Sequence, residues 1–242
     1  MYFPRILIRR FIVLCISAIF LIAAFRQLAS QDAFPPPTGT SSTQIVGPVD
    51  WKKIPLQHPV TSMIPLPSGT PSALPRIQHE FGIETEHSKQ RREERASAVK
   101  DAFLHAWSGY KEFAWLQDEV TPVSAGFKNG FGGRGATLVD SLDTLIIMGL
   151  EDEFSAALAE VKHIDFSTSM EKRINVFETT IRYLGGLLSA YDLSGGKHHV
   201  LLDKAVQLGD MLYAAFDTPN RLPIPRWNWE QYVDDSNVLF GH

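Results

Sequence analysis

Cysteine is nearly absent from this 242-residue chain: its one example, Cys15, lies in an apolar N-terminal run, so no internal disulfide forms and thiols say nothing about the redox compartment. Any Asn-x-Ser/Thr sequon is missing too, which removes N-glycosylation as a compartment marker. No His/Cys/carboxylate cluster has metal-ligand spacing, and no serine or cysteine triad is evident. Period-two alternation of the strand type is also lacking. Net positive charge is lacking outside the N-terminus. The chain carries −4 overall, yet Arg5, Arg9, Arg10 and Arg26 stand without an acid in residues 1–30, so everything after residue 30 sums to −8. A net-acidic body lacks the basic face that phosphate backbones require, which excludes nucleic acid as the main partner.

The apolar run itself, FIVLCISAIFLIAAF from Phe11 to Phe25, is uncharged. Alone it falls short of a hydrocarbon core of roughly 30 Å. Including Ile6, Leu7 and Ile8, with Arg9 and Arg10 snorkelling, brings residues 6–25 near spanning length. Three readings fit: an uncleaved anchor, a cleaved signal peptide, or a buried helix. The bulky Phe25 and charged Arg26 after Ala23 and Ala24 make a poor cleavage site and favour the anchor. Arginines ahead of it keep the N-terminus cytosolic and place the rest in the lumen.

Ten of the fifteen prolines fall between residues 31 and 75, among Ser, Thr and Gly. Such a stretch buries too little apolar surface to fold and reads as an extended stem. An ordered layer against the domain remains the alternative around Trp51–Leu56. After Arg91 the apolar period becomes helical. Val99, Phe103, Ala106, Tyr110 and Phe113 predict one helix face; Leu138, Leu142, Leu145 and Met148 a second; residues 151–163 a third. Phe177, Ile181, Leu184, Leu188 and Tyr191 predict a fourth, stopped by Ser194-Gly195-Gly196. Leu201, Ala205, Leu208, Leu212 and Phe216 predict a fifth. The domain therefore reads as all-α, with helical hairpins joined by short loops.

Glu178 and Arg182 are four apart and share a helix face. Gly185 and Ser189 continue that face and leave open space beside the pair, while Phe177, Ile181, Leu184 and Leu188 are expected to anchor the opposite side. A carboxyl beside a guanidinium suits a polar substrate. The plainer reading is a helix cap, because Asn175 three residues before Glu178 matches the capping-box pattern, with an ordinary surface ion pair added. Upstream, GFKNGFGGRG at 126–135 lacks the Lys-Ser/Thr ending of a phosphate loop. Asp140 and Asp143 follow on a mostly apolar helix, where buried carboxylates need partners, such as loop backbone. His105 and Trp107 are candidates for a sugar-facing surface or for ordinary core positions.

The segment INVFETTIRYLGGLLSAYDLSG resembles the signature of class I α-mannosidases, glycoside hydrolase family 47, which trim α1,2-linked mannose from N-glycans. PRIQHEFG (75–82), VKDAFLHAWSGYKEFAWLQDEVTP (99–122), GATLVDSLDTLIIMGL (135–150) and LLDKAVQLGDMLYAAFDTPN (201–220) extend the resemblance in the same order. It implies an incomplete (αα)7 barrel, its opening hairpins following an N-terminal transmembrane helix and a Pro-rich stem. The organisation implied is a cytosolic tail and anchor (1–30), a stem (31–75), the first part of a catalytic domain (76–226) and a divergent tail (227–242).

By the same resemblance Glu178 is the general acid, acting through a water; Arg182 contacts the terminal mannose; and Asp140 is a further acid of the cavity. Inverting hydrolysis needs a second carboxylate with a water between the two. That acid and the threonine that helps bind an essential Ca²⁺ are expected beyond this sequence, so the chain is expected to be truncated and inactive alone. High-mannose N-glycans are the expected partner, and a type II position in the ER or Golgi membrane the expected location. The alternative is a non-catalytic binder of mannose glycans in glycoprotein quality control. One departure stands out: Arg134 replaces a tryptophan common in the family's Gly-rich loop.

Overall fold

The computed structural model describes residues 47–240, apart from 71 and 74. The expected anchor over residues 6–25 lies outside them. Among the described residues no helix is long and apolar enough to cross a membrane.

Helix α1 runs Glu86–Phe113, starting earlier than its apolar period suggests because Thr85 caps it, accepting from the Ser88 amide. Its first half is exposed. Only the second half meets the domain, through Trp107 and Tyr110, which are buried, and Phe103, which is partly so. Val99 and Phe113 face solvent instead of joining that stripe. Trp107 stacks on Phe103 and donates from Nε1 to Glu153 at 2.8 Å, so it is a core residue, while His105 is exposed.

The core is helical. Short helices α2 (Ala136–Asp140) and α3 (Leu142–Ile147) bury Leu138, Val139, Leu142 and Leu145, and α4 (Glu151–Val161) buries Phe154, Ala157 and Val161. Gly149, at φ +63°, makes the turn between α3 and α4, a conformation without steric cost for glycine. Helix α5 (Val176–Thr179) passes through a wider π-type turn, Thr180–Leu184, into α6 (Gly185–Leu193). Helix α7, His199–Ala214, buries Leu201, Ala205, Leu208, Met211 and Leu212. Each of these leucines, and Met211, contributes about 1.5–3 kcal/mol by leaving water.

Three of the five residues of the expected stripe on the α5–α6 stretch are turned outward, while Leu184 and Tyr191 stay partly buried against the core. Phe177 is 65%, Ile181 50% and Leu188 40% exposed. The residues that enter the core are Val176, Thr179, Tyr183, Gly186, Leu187 and Ala190. Both sets have near-helical spacing, so period alone does not choose between them; the π-type turn and the contact of Gly186 with α2 decide the rotation.

Two short antiparallel strand pairs, the first a hairpin, qualify the all-α expectation. Strands β1 (Glu119–Thr121) and β2 (Gly126–Lys128) pair around Val120 and Phe127. Strands β3 (Arg173–Asn175) and β4 (Arg226–Asn228) pair Ile174 with Trp227. Three-residue strands are too short to show alternation. Each of β3 and β4 runs directly into a helix, α5 and α8 (Trp229–Phe240), and because the pairing is antiparallel the two helices leave from opposite ends of the ribbon.

The ends of the described domain are better ordered than composition suggests. Trp51, in a 3-10 turn at Trp51–Lys53, packs against Trp227, Trp229 and Tyr232 and donates from Nε1 to the Ser167 carbonyl at 2.7 Å. Asp217, with no exposed side-chain surface, accepts from the amides of Gln57 and His58 and from the Tyr232 hydroxyl. Residues 49–58 therefore form the ordered layer rather than extended stem. The segment after Arg226 is likewise part of the core, with Trp227, Trp229, Tyr232 and Val233 buried.

Candidate active site

The site is built on the start of α5. Asn175 accepts from the Glu178 amide at 3.3 Å and caps the helix. Half of the capping box is thus present. The other half is not, because the Glu178 carboxylate turns to Arg182 instead.

Arg182 joins two acids from different elements. Its Nε donates to Glu178 Oε2 at 2.7 Å, and its Nη1 donates to Asp140 Oδ2, at the end of α2, at 2.8 Å. Beneath it lies the ring of Phe131, from the Gly-rich loop, with the guanidinium carbon 4.4 Å from the ring centroid. The array is open on one side: the side chains of Arg182, Asp140 and Glu178 are 35%, 32% and 26% exposed. Gly185, one turn on, is exposed, and a side chain there would meet only the Thr180 carbonyl at 3.8 Å.

Burial raises the Asp140 carboxyl above its ordinary range, opposed by the Arg182 hydrogen bond and charge. The Asp140 and Glu178 bonds hold the Arg182 guanidinium above its ordinary value, against desolvation. Glu178 Oε2 is committed to Arg182; among the described residues no side chain or amide bonds its Oε1, which leaves that oxygen for water or substrate. Asp143 does not serve loop backbone either. It accepts from Ser189 Oγ at 2.8 Å and ties α3 to α6 beside the array.

Sequence reasoning missed three members: Phe131 under Arg182, Tyr183 behind it, and Asp118, whose carboxylate accepts from four amides of the 131–136 stretch and sits 2.8 Å from the Tyr183 hydroxyl. The available signal was an acid placed ahead of a Gly-rich loop full of unpaired amides. Arg134 is 5% exposed and lies over Tyr183 and Phe166, at 4.9 and 5.8 Å. Among the described residues no group of three or more His, Cys, Asp or Glu is placed to hold a metal ion.

Two carboxylates thus share one guanidinium on a partly solvent-open face of a helical scaffold. The sequence model of glycosyl hydrolase family 47 matches residues 102–238, more than half of the chain, and the chain belongs to that family. The match runs past Arg226, in keeping with the buried tryptophans there.

A mannosyl-oligosaccharide alpha-1,2-mannosidase of Penicillium citrinum is 40% identical over 199 residues, covering 78% of this chain and 38% of that one. An endoplasmic reticulum mannosyl-oligosaccharide 1,2-alpha-mannosidase of Rattus norvegicus is 50% identical over 131 residues, 54% of this chain and 19% of that one. The solved alpha-1,2-mannosidase from Trichoderma reesei superposes with a TM-score of 0.52 at 42% identity, covering 54% of this chain and 30% of that one. The chain spans between about a fifth and two fifths of the length of these relatives.

Proposed function

We propose that the protein hydrolyses terminal α1,2-linked mannose from high-mannose N-glycans with inversion, and that this chain supplies the acid side of the site. The observation that carries the reading is Arg182 held between Glu178 and Asp140 on an open helix face. Glu178, with one oxygen fixed by Arg182, delivers a proton toward the leaving glycosidic oxygen through a water held at Oε1. Arg182, its charge secured by two acids, retains donors for mannose hydroxyls. Asp140, tied to the same guanidinium, accepts from a mannose hydroxyl rather than activating water. The water-activating carboxylate of an inverting mechanism stands apart from the acid, with room for the water between them.

The helices described here are, in this reading, the opening hairpins of an (αα)7 barrel. The names of the relatives support the substrate and the secretory pathway; the apolar run at 6–25 supports a type II anchor in the ER or Golgi membrane, which protease protection of a C-terminal tag in microsomes tests.

The activity test is mannose release from a high-mannose N-glycan with Ca²⁺ supplied, by this chain and by the longest product of its gene. Release that Glu178→Gln abolishes without unfolding the protein supports the reading. Full release by Glu178→Gln removes Glu178 from the mechanism. Glycan binding without release would favour the non-catalytic glycan binder.

A further inference from the structure

A buried carboxylate without a cation bonded to it is costly to fold around, and is retained only where every oxygen is satisfied. Asp118 is such a group, with no exposed surface. Its Oδ2 accepts from the amides of Phe131 and Gly133, both at 2.8 Å. Its Oδ1 accepts from the amides of Arg134 at 2.9 Å and Ala136 at 3.2 Å, and lies 2.8 Å from the Tyr183 hydroxyl. That hydroxyl also sits 2.9 Å from the Phe131 carbonyl. The Asp118 carbonyl accepts from the amide and hydroxyl of Thr137, at 3.0 and 2.7 Å. One residue thus ties together the loop that carries Phe131, the first turn of α2 that ends in Asp140, and the residue next to Arg182.

We infer that Asp118 is the positioning residue of the Asp140–Arg182–Glu178 array: it draws Phe131 beneath Arg182 and aims α2 so that Asp140 meets the guanidinium. The consequence for turnover rests on the mannosidase reading; the geometric claim does not. The charge is essential to the role. In Asp118→Asn one oxygen becomes an NH₂ that confronts at least two backbone N–H donors, so the loop must withdraw and Phe131 leaves its place. A carboxylate alone serves all the amides.

The side-chain ¹H–¹⁵N spectrum of the full chain tests this. Phe131→Leu, which removes the ring, defines the change in the Arg182 Nε–H resonance when the aromatic face is lost. Asp118→Asn is expected to reproduce most of that change. Tyr183→Phe, which keeps the packing and removes one tie, is expected to reproduce part of it and serves if Asp118→Asn does not fold. Leu208→Ala, a core truncation on α7, is expected to lower stability and leave the resonance in place, which separates positioning from general loosening. An unmoved Arg182 signal in folded Asp118→Asn, or in Tyr183→Phe, overturns the inference.

Where mannose release is measurable, Asp118→Asn should lower kcat by about a hundredfold, with KM changed far less. A moved signal in a protein that never releases mannose leaves the positioning role and removes the mannosidase reading. Lost release with an unmoved signal does the reverse.

Discussion

Gly186 meets Val139 where α6 crosses α2: a Cβ on Gly186 would stand 2.8 Å from the Val139 carbonyl oxygen and 3.2 Å from its Cγ1. The helix that carries Arg182 is therefore pressed against the helix that ends in Asp140 by a glycine-to-backbone contact. That closeness lets one guanidinium reach both acids.

Gly186→Ala should accordingly cost about 1–3 kcal/mol, because backbone rather than a movable side chain blocks the new methyl. Gly209→Ala on α7 meets nothing within 4 Å and should stabilise by about 0.5–1 kcal/mol through helix propensity. Urea denaturation of the two variants in parallel checks both signs.

Glu178→Gln should reduce mannose release by about 10²–10⁴-fold, the usual range for losing a positioned acid. Stability should change little, within about 0.5 kcal/mol, because the pair it breaks is partly exposed. Initial rates and thermal melts on one preparation separate the two effects.

Arg134→Met should be neutral or stabilising by about 1–2 kcal/mol. The Arg134 Nε and Nη2 are buried without a hydrogen-bond partner, and Nη1 reaches only the Thr168 carbonyl and the Met211 sulfur. Methionine keeps much of the volume and removes the buried charge. A marked loss of stability on denaturation would show that the cation–π contacts with Tyr183 and Phe166 outweigh the desolvation.

Acid should loosen the layer at residues 49–58 before the helices. Burial opposes ionisation of Asp217, but the Tyr232 hydroxyl and the Gln57 and His58 amides outweigh it and hold the carboxyl below its ordinary value. A depressed folded pKa means stability that is present above the unfolded value, about 3.9, and is lost as pH falls through the folded one. Asp165 is depressed as well: burial opposes ionisation, and the Ser167 hydroxyl and amide overcome it. Stability should thus drop below about pH 4, with an early change in tryptophan fluorescence from the Trp51 cluster. Asp217→Asn should cost about 2–3 kcal/mol at neutral pH and flatten the acid limb.

The outward stripe offers a direct contrast. Phe177→Ser with Ile181→Ser should change stability by less than about 1 kcal/mol, whereas Leu187→Ala, on the buried face, should cost about 2–5 kcal/mol. Equal costs in denaturation would restore the stripe expected from the sequence.

The sequence by itself determined the helical character of the domain, the α7 face through Leu201, Ala205, Leu208 and Leu212, and the pairing of Glu178 with Arg182. All of these depend on neighbours within a few residues, and local spacing encodes them. It also carried the family resemblance, through motifs whose order survives without any coordinates. Spacing did not tell a cap from a functional acid at Glu178, because both use the same interval.

Tertiary structure decided the rest. The rotation of α5 and α6, which exposes Phe177 and buries Tyr183, follows from the π-type turn and from Gly186 against Val139, a contact across 47 positions of chain. The reach of Arg182 to Asp140, the ring of Phe131 beneath it and the Asp118 hub each join segments far apart in sequence. Trp51 enters the core because partners more than a hundred residues away close around it. None of these carries a local period. Each depends on which surfaces the packed helices bring face to face, and close packing settles that only when the whole domain is assembled.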